Sequence, residues 1–133
     1  MIDKIQDIAI VIRSNFKLED QGIEFITDNE STQQVGIMRR PKDYKVKDHI
    51  HLKQPGRKAV YTQEALLVRS GQIRVDLFKE DEFGIKFAKS VTLEKGDIIC
   101  LLSGGHGITF LEESEILEIK QGPYTPDKDK EFI

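Results

Sequence analysis

Ten short runs of alternating or wholly apolar residues, each closed by turn formers, confine this chain to an all-β architecture. The runs span Ile8–Arg13, Gly22–Ile26, Gln34–Arg40, Lys45–Lys53, Arg57–Val68, Gln72–Phe78, Lys86–Leu93, Asp97–Leu102, Gly107–Leu111 and Ile116–Gln121. Between them stand Pro55-Gly56, Ser70-Gly71, the acidic stretch KEDEFG, Lys95-Gly96 and Ser103-Gly104-Gly105, residue types that supply turn dihedrals. Many short strands at close spacing predict a β-sandwich or barrel. Glu64 to Val68 is β-rich and runs into a glycine, which argues against a helix there. A short helical turn is expected near Asp3–Ile8, and a loosely held, charged tail after Pro126.

With 133 residues the chain has the length of one domain, residues 1–133, and can bury a core without covalent staples. The net charge of −3 gives no electrostatic reason to expect nucleic acid as a partner, and there is no arginine-rich stripe with interleaved aromatics. Cys100, the single cysteine, lies in the apolar run IICLL, so no internal disulfide can form and a reducing compartment is expected. The N-terminal MIDKIQDIAIVIR lacks the long apolar stretch of a secretory signal, and no run approaches the roughly 18 residues of a membrane span. A cytoplasmic protein with no membrane partner is expected. The run DIAIVIR has the character of an edge strand, from which a homodimer is predicted.

All three histidines lie outside the polar tail. His49 and His51 are two apart on a predicted strand and so share a face, while His106 sits in the glycine-rich run SGGHG. Pro55-Gly56 suits the centre of a type II turn. Folding the chain there would place residues whose numbers sum to about 111 opposite each other, so that Glu64 would face Lys47 diagonally across from His49. Three imidazoles and one carboxylate make a ligand set for zinc, iron, nickel, copper or manganese without choosing among them. The competing reading is that each histidine is a surface or hydrogen-bonded core residue and Glu64 a solvated strand position. GGHG lacks the lysine and helix of a phosphate loop, and KEDEFG lacks the spacing of a metal loop. Arg39, Tyr61, Gln63, Glu118 and Lys120 lie in β-rich runs, with inward or outward facing left open. In the last run the apolar alternation Leu117, Ile119 is expected to be the better buried face.

Two segments resemble the paired motifs of the cupin superfamily. EALLVRSG has a glutamate, six residues and a glycine, as in the first motif after its HxH. GDIICLLSGGHG resembles the second motif, in which Gly-Asp opens a strand and a histidine follows a tight turn. The resemblance covers about residues 45–121. It departs from the pattern in the gap of 12 residues between His51 and Glu64, in Leu102 where proline is common, and in Phe110 where asparagine is frequent. The second-motif turn is also one residue short. Keeping the usual short gap would instead put Arg57 and Ala59 in the histidine positions.

The resemblance implies a cupin-type jelly-roll β-barrel with a divalent transition metal on His49, His51, Glu64 and His106. It also implies a catalytic role for His49 or His106, either through the metal or as a direct general base. GGHGITFLEESEILEIKQGPY and EALLVRSGQIRVDLF are similar to small cupins of bacterial surface-polysaccharide and nucleotide-sugar pathways. The expected ligand is accordingly a small, sugar-like molecule, and the expected activity isomerase- or epimerase-like. An iron-dependent dioxygenase and a non-catalytic sugar-binding or sensor module are the alternatives.

Overall fold

The computed structural model describes residues 1–45, 47, 49, 61–121 and 131–133. Ten strands and no helix are found among them. The chain divides into two compact units, one of Met1–Phe16 with Thr62–Ile133 and one of Lys17–Tyr61.

The first unit is built from β1 (Ile2–Ile5), β2 (Ala9–Ile12), β5 (Glu64–Ser70), β6 (Gln72–Asp81), β7 (Gly84–Glu94), β8 (Ile98–Leu101), β9 (Gly105–Phe110) and β10 (Glu115–Lys120). They form a five-stranded sheet in the order β1-β2-β8-β5-β10 and a three-stranded sheet β7-β6-β9, antiparallel throughout. One buried cluster joins the two. Ala9, Val11, Leu66, Val68, Ile99 and Leu101 from the larger sheet pack with Ile73, Val75, Leu77, Val91 and Leu93 from the smaller. The alternation of β6 makes this possible, because Ile73, Val75 and Leu77 point to one side and are fully buried while Arg74 is exposed. Burying each such aliphatic side chain contributes about 1.5–3 kcal/mol.

The middle of the larger sheet is apolar on both faces. Ile10, Cys100 and Ala65 share the row behind the core and are buried as well, so that all four residues of β2 are inaccessible. The DIAIVIR run is therefore an interior strand, hydrogen-bonded to both β1 and β8, and not the expected edge. The end strand on that side is β1, which occupies the first half of the segment expected as a helical turn. A tight reversal replaces that turn, with Gln6 at φ 50° and the Ile8 amide donating to the Ile5 carbonyl.

One carboxylate ties the two sheets together. Asp97 is buried, and its Oδ1 accepts from the Ser14 amide at 3.0 Å just beyond β2. Its Oδ2 accepts from the Glu94 amide at 2.8 Å at the end of β7 and from Arg13 Nη1 at 3.1 Å. Arg13 Nη1 also donates to the Thr92 carbonyl at 2.8 Å. The turn Glu94-Lys95-Gly96-Asp97 needs glycine at its third position, where φ is +89°. These groups line a shallow depression of about 340 Å³ whose polar atoms are largely consumed by one another.

The second unit contains the hairpin of β3 (Gly22–Phe25) and β4 (Gly36–Arg39), close to the expected bounds. Its connection is shaped by Thr27, Asp28 and Gln34, and Arg39 Nη1 donates to the carbonyls of Leu18 and Glu19. Arg39 thus ties β4 to the segment that precedes β3. Pro55-Gly56 lies outside the described residues; of the hairpin expected around it, the described Lys45, Lys47 and His49 are exposed and not in a strand, and the run expected over Arg57–Val68 is a strand from Glu64.

Replacing Asp97 by alanine leaves two amides and a guanidinium without their acceptor, so Asp97→Ala is expected to lower stability by about 2–3 kcal/mol in urea denaturation. Asp76→Ala, which touches only Arg74 and Ser90 on the exposed face, serves as the comparison and stays within about 0.5 kcal/mol of the parent. Equal effects from the two substitutions would refute the role given to Asp97.

Candidate functional site

Glu64 opens β5, and its position in the strand decides its surroundings. It shares a face with Leu66 and Val68, both in the core, and stands opposite Leu101 on one side and Lys120 on the other. Its side chain is only 14% exposed. A carboxylate at the margin of an apolar core needs a partner. That partner comes from the other sheet.

His106 is the second residue of β9 and stands opposite Leu77, on the inward face of the three-stranded sheet. Sequence reading placed it in a turn, but the reversal ends at Gly104, where φ is +73° and a β-carbon would collide with the Phe78 carbonyl. The connection before it is anchored to the β1–β2 reversal by Ser103 Oγ, which donates to the Asp7 carbonyl at 2.8 Å, and by the Leu102 amide on the Ile8 carbonyl. His106 Nε2 lies 2.8 Å from Glu64 Oε1, bridging the two sheets.

The histidine hydrogen bond is the largest influence on Glu64 and holds its carboxyl at about 2, well below the usual carboxylate value, against the opposing effect of burial. A hydrogen bond with Glu118 and the charges of His106 and Lys120 act in the same direction. Glu64 is therefore ionised and accepts a proton-bearing Nε2, which in the neutral ring leaves the lone pair on Nδ1.

Ligands about 2.1 Å from a cation lie about 3.0 Å apart in octahedral and about 3.4 Å apart in tetrahedral geometry, so the 2.8 Å separation is that of a direct hydrogen bond, and a cation between the two atoms would need them to part. His49 Nδ1 is 2.7 Å from the Lys47 carbonyl, the kind of bond that leaves Nε2 as the ligating atom of a histidine. His49 belongs to the unit Lys17–Tyr61 and is described only within it, and His51 lies outside the described residues. Among the described residues no group of three or more His, Cys, Asp or Glu is placed to hold a metal ion.

The strand residues of undecided facing now have places. Gln63 Nε2 donates to the Leu102 carbonyl at 3.3 Å, and its amide to Gln121 Oε1 at 2.7 Å. Tyr61 is exposed. Glu118 and Lys120 share the face of Glu64, Leu66 and Val68, whereas Leu117 and Ile119 are 44% and 55% exposed on the opposite face. The apolar alternation of β10 is thus not the better buried one, a reversal produced by a bulge at Arg69. Sequence reading missed this because pairing register is not written in the strand itself. Cys100 is not part of the site: burial pushes its thiol up to about 11, which suppresses thiolate chemistry.

Comparison with protein-family models, with curated proteins and with solved structures gives no match in any of the three. Among the described residues no helix is long and apolar enough to cross a membrane.

Because the Glu64 carboxyl is held below its ordinary value, its contribution to stability is present above about pH 4.5 and is lost as pH falls through about 2. The stability difference between the parent and Glu64→Gln is expected to narrow over that window, read from urea midpoints at successive pH values. A difference that stays constant down to pH 2 would refute the pairing with His106.

Proposed function

We propose that this chain is a metal-binding domain of the cupin type that acts on a small, sugar-like molecule, with Glu64 and His106 at the centre of its site. The observation that carries the reading is the 2.8 Å contact between Glu64 and His106, made between the inward faces of two antiparallel sheets by residues 42 positions apart. It unites the glutamate of one cupin-like motif with the histidine of the other. The all-β architecture and the placement of Asp97 at the start of β8, where the second motif has its Gly-Asp, support the same reading. A jelly-roll barrel is part of the proposal.

In this reading His49, His51, Glu64 and His106 hold a divalent transition metal, which polarises a carbonyl or a pair of hydroxyls when bound. Glu64 supplies the negative charge of the set, and the His106 Nε2 that donates to it in the structure would give up that proton to ligate the metal. The residues around them provide a dry, apolar floor from Leu66 and Leu101, which strengthens any charge interaction above it. Proton transfer at a sugar carbon, as in isomerisation or epimerisation, is the chemistry proposed. A homodimer and a cytoplasmic location belong to the same proposal.

A second reading follows from the same hydrogen bond. An ionised carboxylate that accepts from Nε2–H orients a neutral imidazole with Nδ1 as its basic atom, so His106 can serve directly as general base without a metal.

Metal analysis of untagged protein purified without chelator separates the two. Near-stoichiometric transition metal is expected in the parent, with at least a tenfold loss in His49→Ala and His106→Ala. A parent protein that stays metal-free after reloading would overturn the metal reading and leave His106 as a base or the domain as a simple binding module.

A further inference from the structure

β10 is the strand whose sequence and placement disagree. Burial alone would turn Leu117 and Ile119 toward the core, yet Glu118 and Lys120 face it. Register explains the reversal. Glu115 pairs with Ser70, but Ile116 pairs with Val68, so Arg69 is left over as a bulged residue. An unbroken ladder would have set Leu117 against Val68 and Ile119 against Leu66, both inward. Bulges re-aim side chains in this way and are concentrated beside active sites.

The bulge is fixed by its neighbours. Arg69 Nη1 pairs with Glu115 Oε1 at 2.8 Å across it. One residue beyond β5, Gly71 takes φ +82°, and a β-carbon there would strike Ser114 Oγ and the Glu113 carbonyl. The Gln72 amide donates to Ser114 Oγ at 2.9 Å, and the Leu111 amide donates to the Gln72 carbonyl. Two turns are thereby clamped together at the point where the register slips.

The result is a mixed surface beside the Glu64–His106 pair. Lys120 stands directly opposite Glu64, with its Nζ 3.9 Å from Glu118 Oε1. On the other sheet Ile108 and Phe110 follow His106 along the same inward face of β9, and both are exposed there. A charged donor and acceptor on one side and two apolar side chains on the other match a hydroxyl-rich ring, whose rim forms hydrogen bonds and whose C–H face is apolar.

We propose that Glu118 and Lys120 are the ligand-selecting residues of the site, and that they select a hydroxyl-bearing ring edge against an acidic one. The proposal rests on the reading of Glu64 and His106 as a binding site. Lys120 donates to a ring hydroxyl and Glu118 accepts from its neighbour. A carboxylate or phosphate in the same place would meet the ionised Glu64 and the Glu118 carboxyl bonded to it as well as Lys120, and like charges in contact are penalised. Ile108 and Phe110 carry the apolar face of the ring.

The test uses the full chain with its metal, titrated by amide NMR with a panel of neutral hexoses and 6-deoxyhexoses and the matching uronates. At least one neutral sugar is expected to bind saturably and more tightly than its uronate, shifting the amides of Phe110 and Lys120. Lys120→Met and Lys120→Gln are expected to weaken it at least about tenfold with unchanged metal content, and Glu118→Gln to narrow the preference over the uronate. Unchanged neutral-sugar affinity in both Lys120 variants, or tighter uronate binding by the parent, would overturn the proposal. If the parent binds metal but no sugar of the panel, this proposal falls and the metal reading stands. If it binds neither, both fall.

Discussion

Asp97 is the residue on which the arrangement of the two sheets depends. Its carboxylate collects the chain as it leaves β2, through Ser14 and Arg13, and as it leaves β7, through Glu94. Its backbone joins β5, since the Val68 amide donates to the Asp97 carbonyl and the Gly96 amide to the Val68 carbonyl. Strands far apart in sequence thus meet at one side chain. Hydrophobic burial favours the two sheets facing each other but is indifferent to how they slide, because apolar contacts are non-directional. Charge-assisted hydrogen bonds from three donors fix the offset. With the offset set, Glu64 near one end of β5 and His106 near the start of β9 reach a common point.

The site lies where the core ends, and the change from apolar to charged follows the strands residue by residue. On β5 the inward series reads Val68, Leu66, Glu64, and on β10 it reads Ile116, Glu118, Lys120. On the second sheet, Ile73, Val75 and Leu77 stand opposite Phe110, Ile108 and His106 on the neighbouring strand. Leaving Leu117 and Ile119 outward forgoes on the order of 1 kcal/mol each of burial that the opposite register would have gained. A fold that accepts that loss to direct two charges at a third has traded stability for a polar inner surface, the local inconsistency expected at functional positions.

Period-two alternation and glycine turns made most of the fold legible in the sequence. The structure's β2 to β4 and β6 to β10 begin and end within a few residues of the runs that predict them. β1 was not legible, because IDKI has no alternation and its reversal relies on Gln6 in a conformation that a non-glycine residue seldom takes. The facing of β10 was not legible either. Whether Lys120 points in or out depends on Arg69, some fifty positions away on the partner strand, and on a serine that holds a glycine in place. Glu64 and His106 were grouped in the sequence by the resemblance to two cupin motifs, since nothing local to either residue names the other.

The interior ionisable groups divide by what they can still do. Asp97 is saturated by donors that are all part of the scaffold, and Cys100 is kept as a neutral thiol by burial. Neither has spare capacity for a ligand. Glu64 differs in the nature of its partner. Its ionised state is maintained chiefly by an imidazole, a group that can exchange its proton or give up its nitrogen to a cation, and that is 32% exposed where Glu64 is 14% exposed. A carboxylate poised by a scaffold amide is structural, whereas one poised by a partly accessible histidine is coupled to whatever that histidine meets. Chemistry in this fold is therefore expected at the end of the core opposite in character to Asp97, where the partners themselves are reactive.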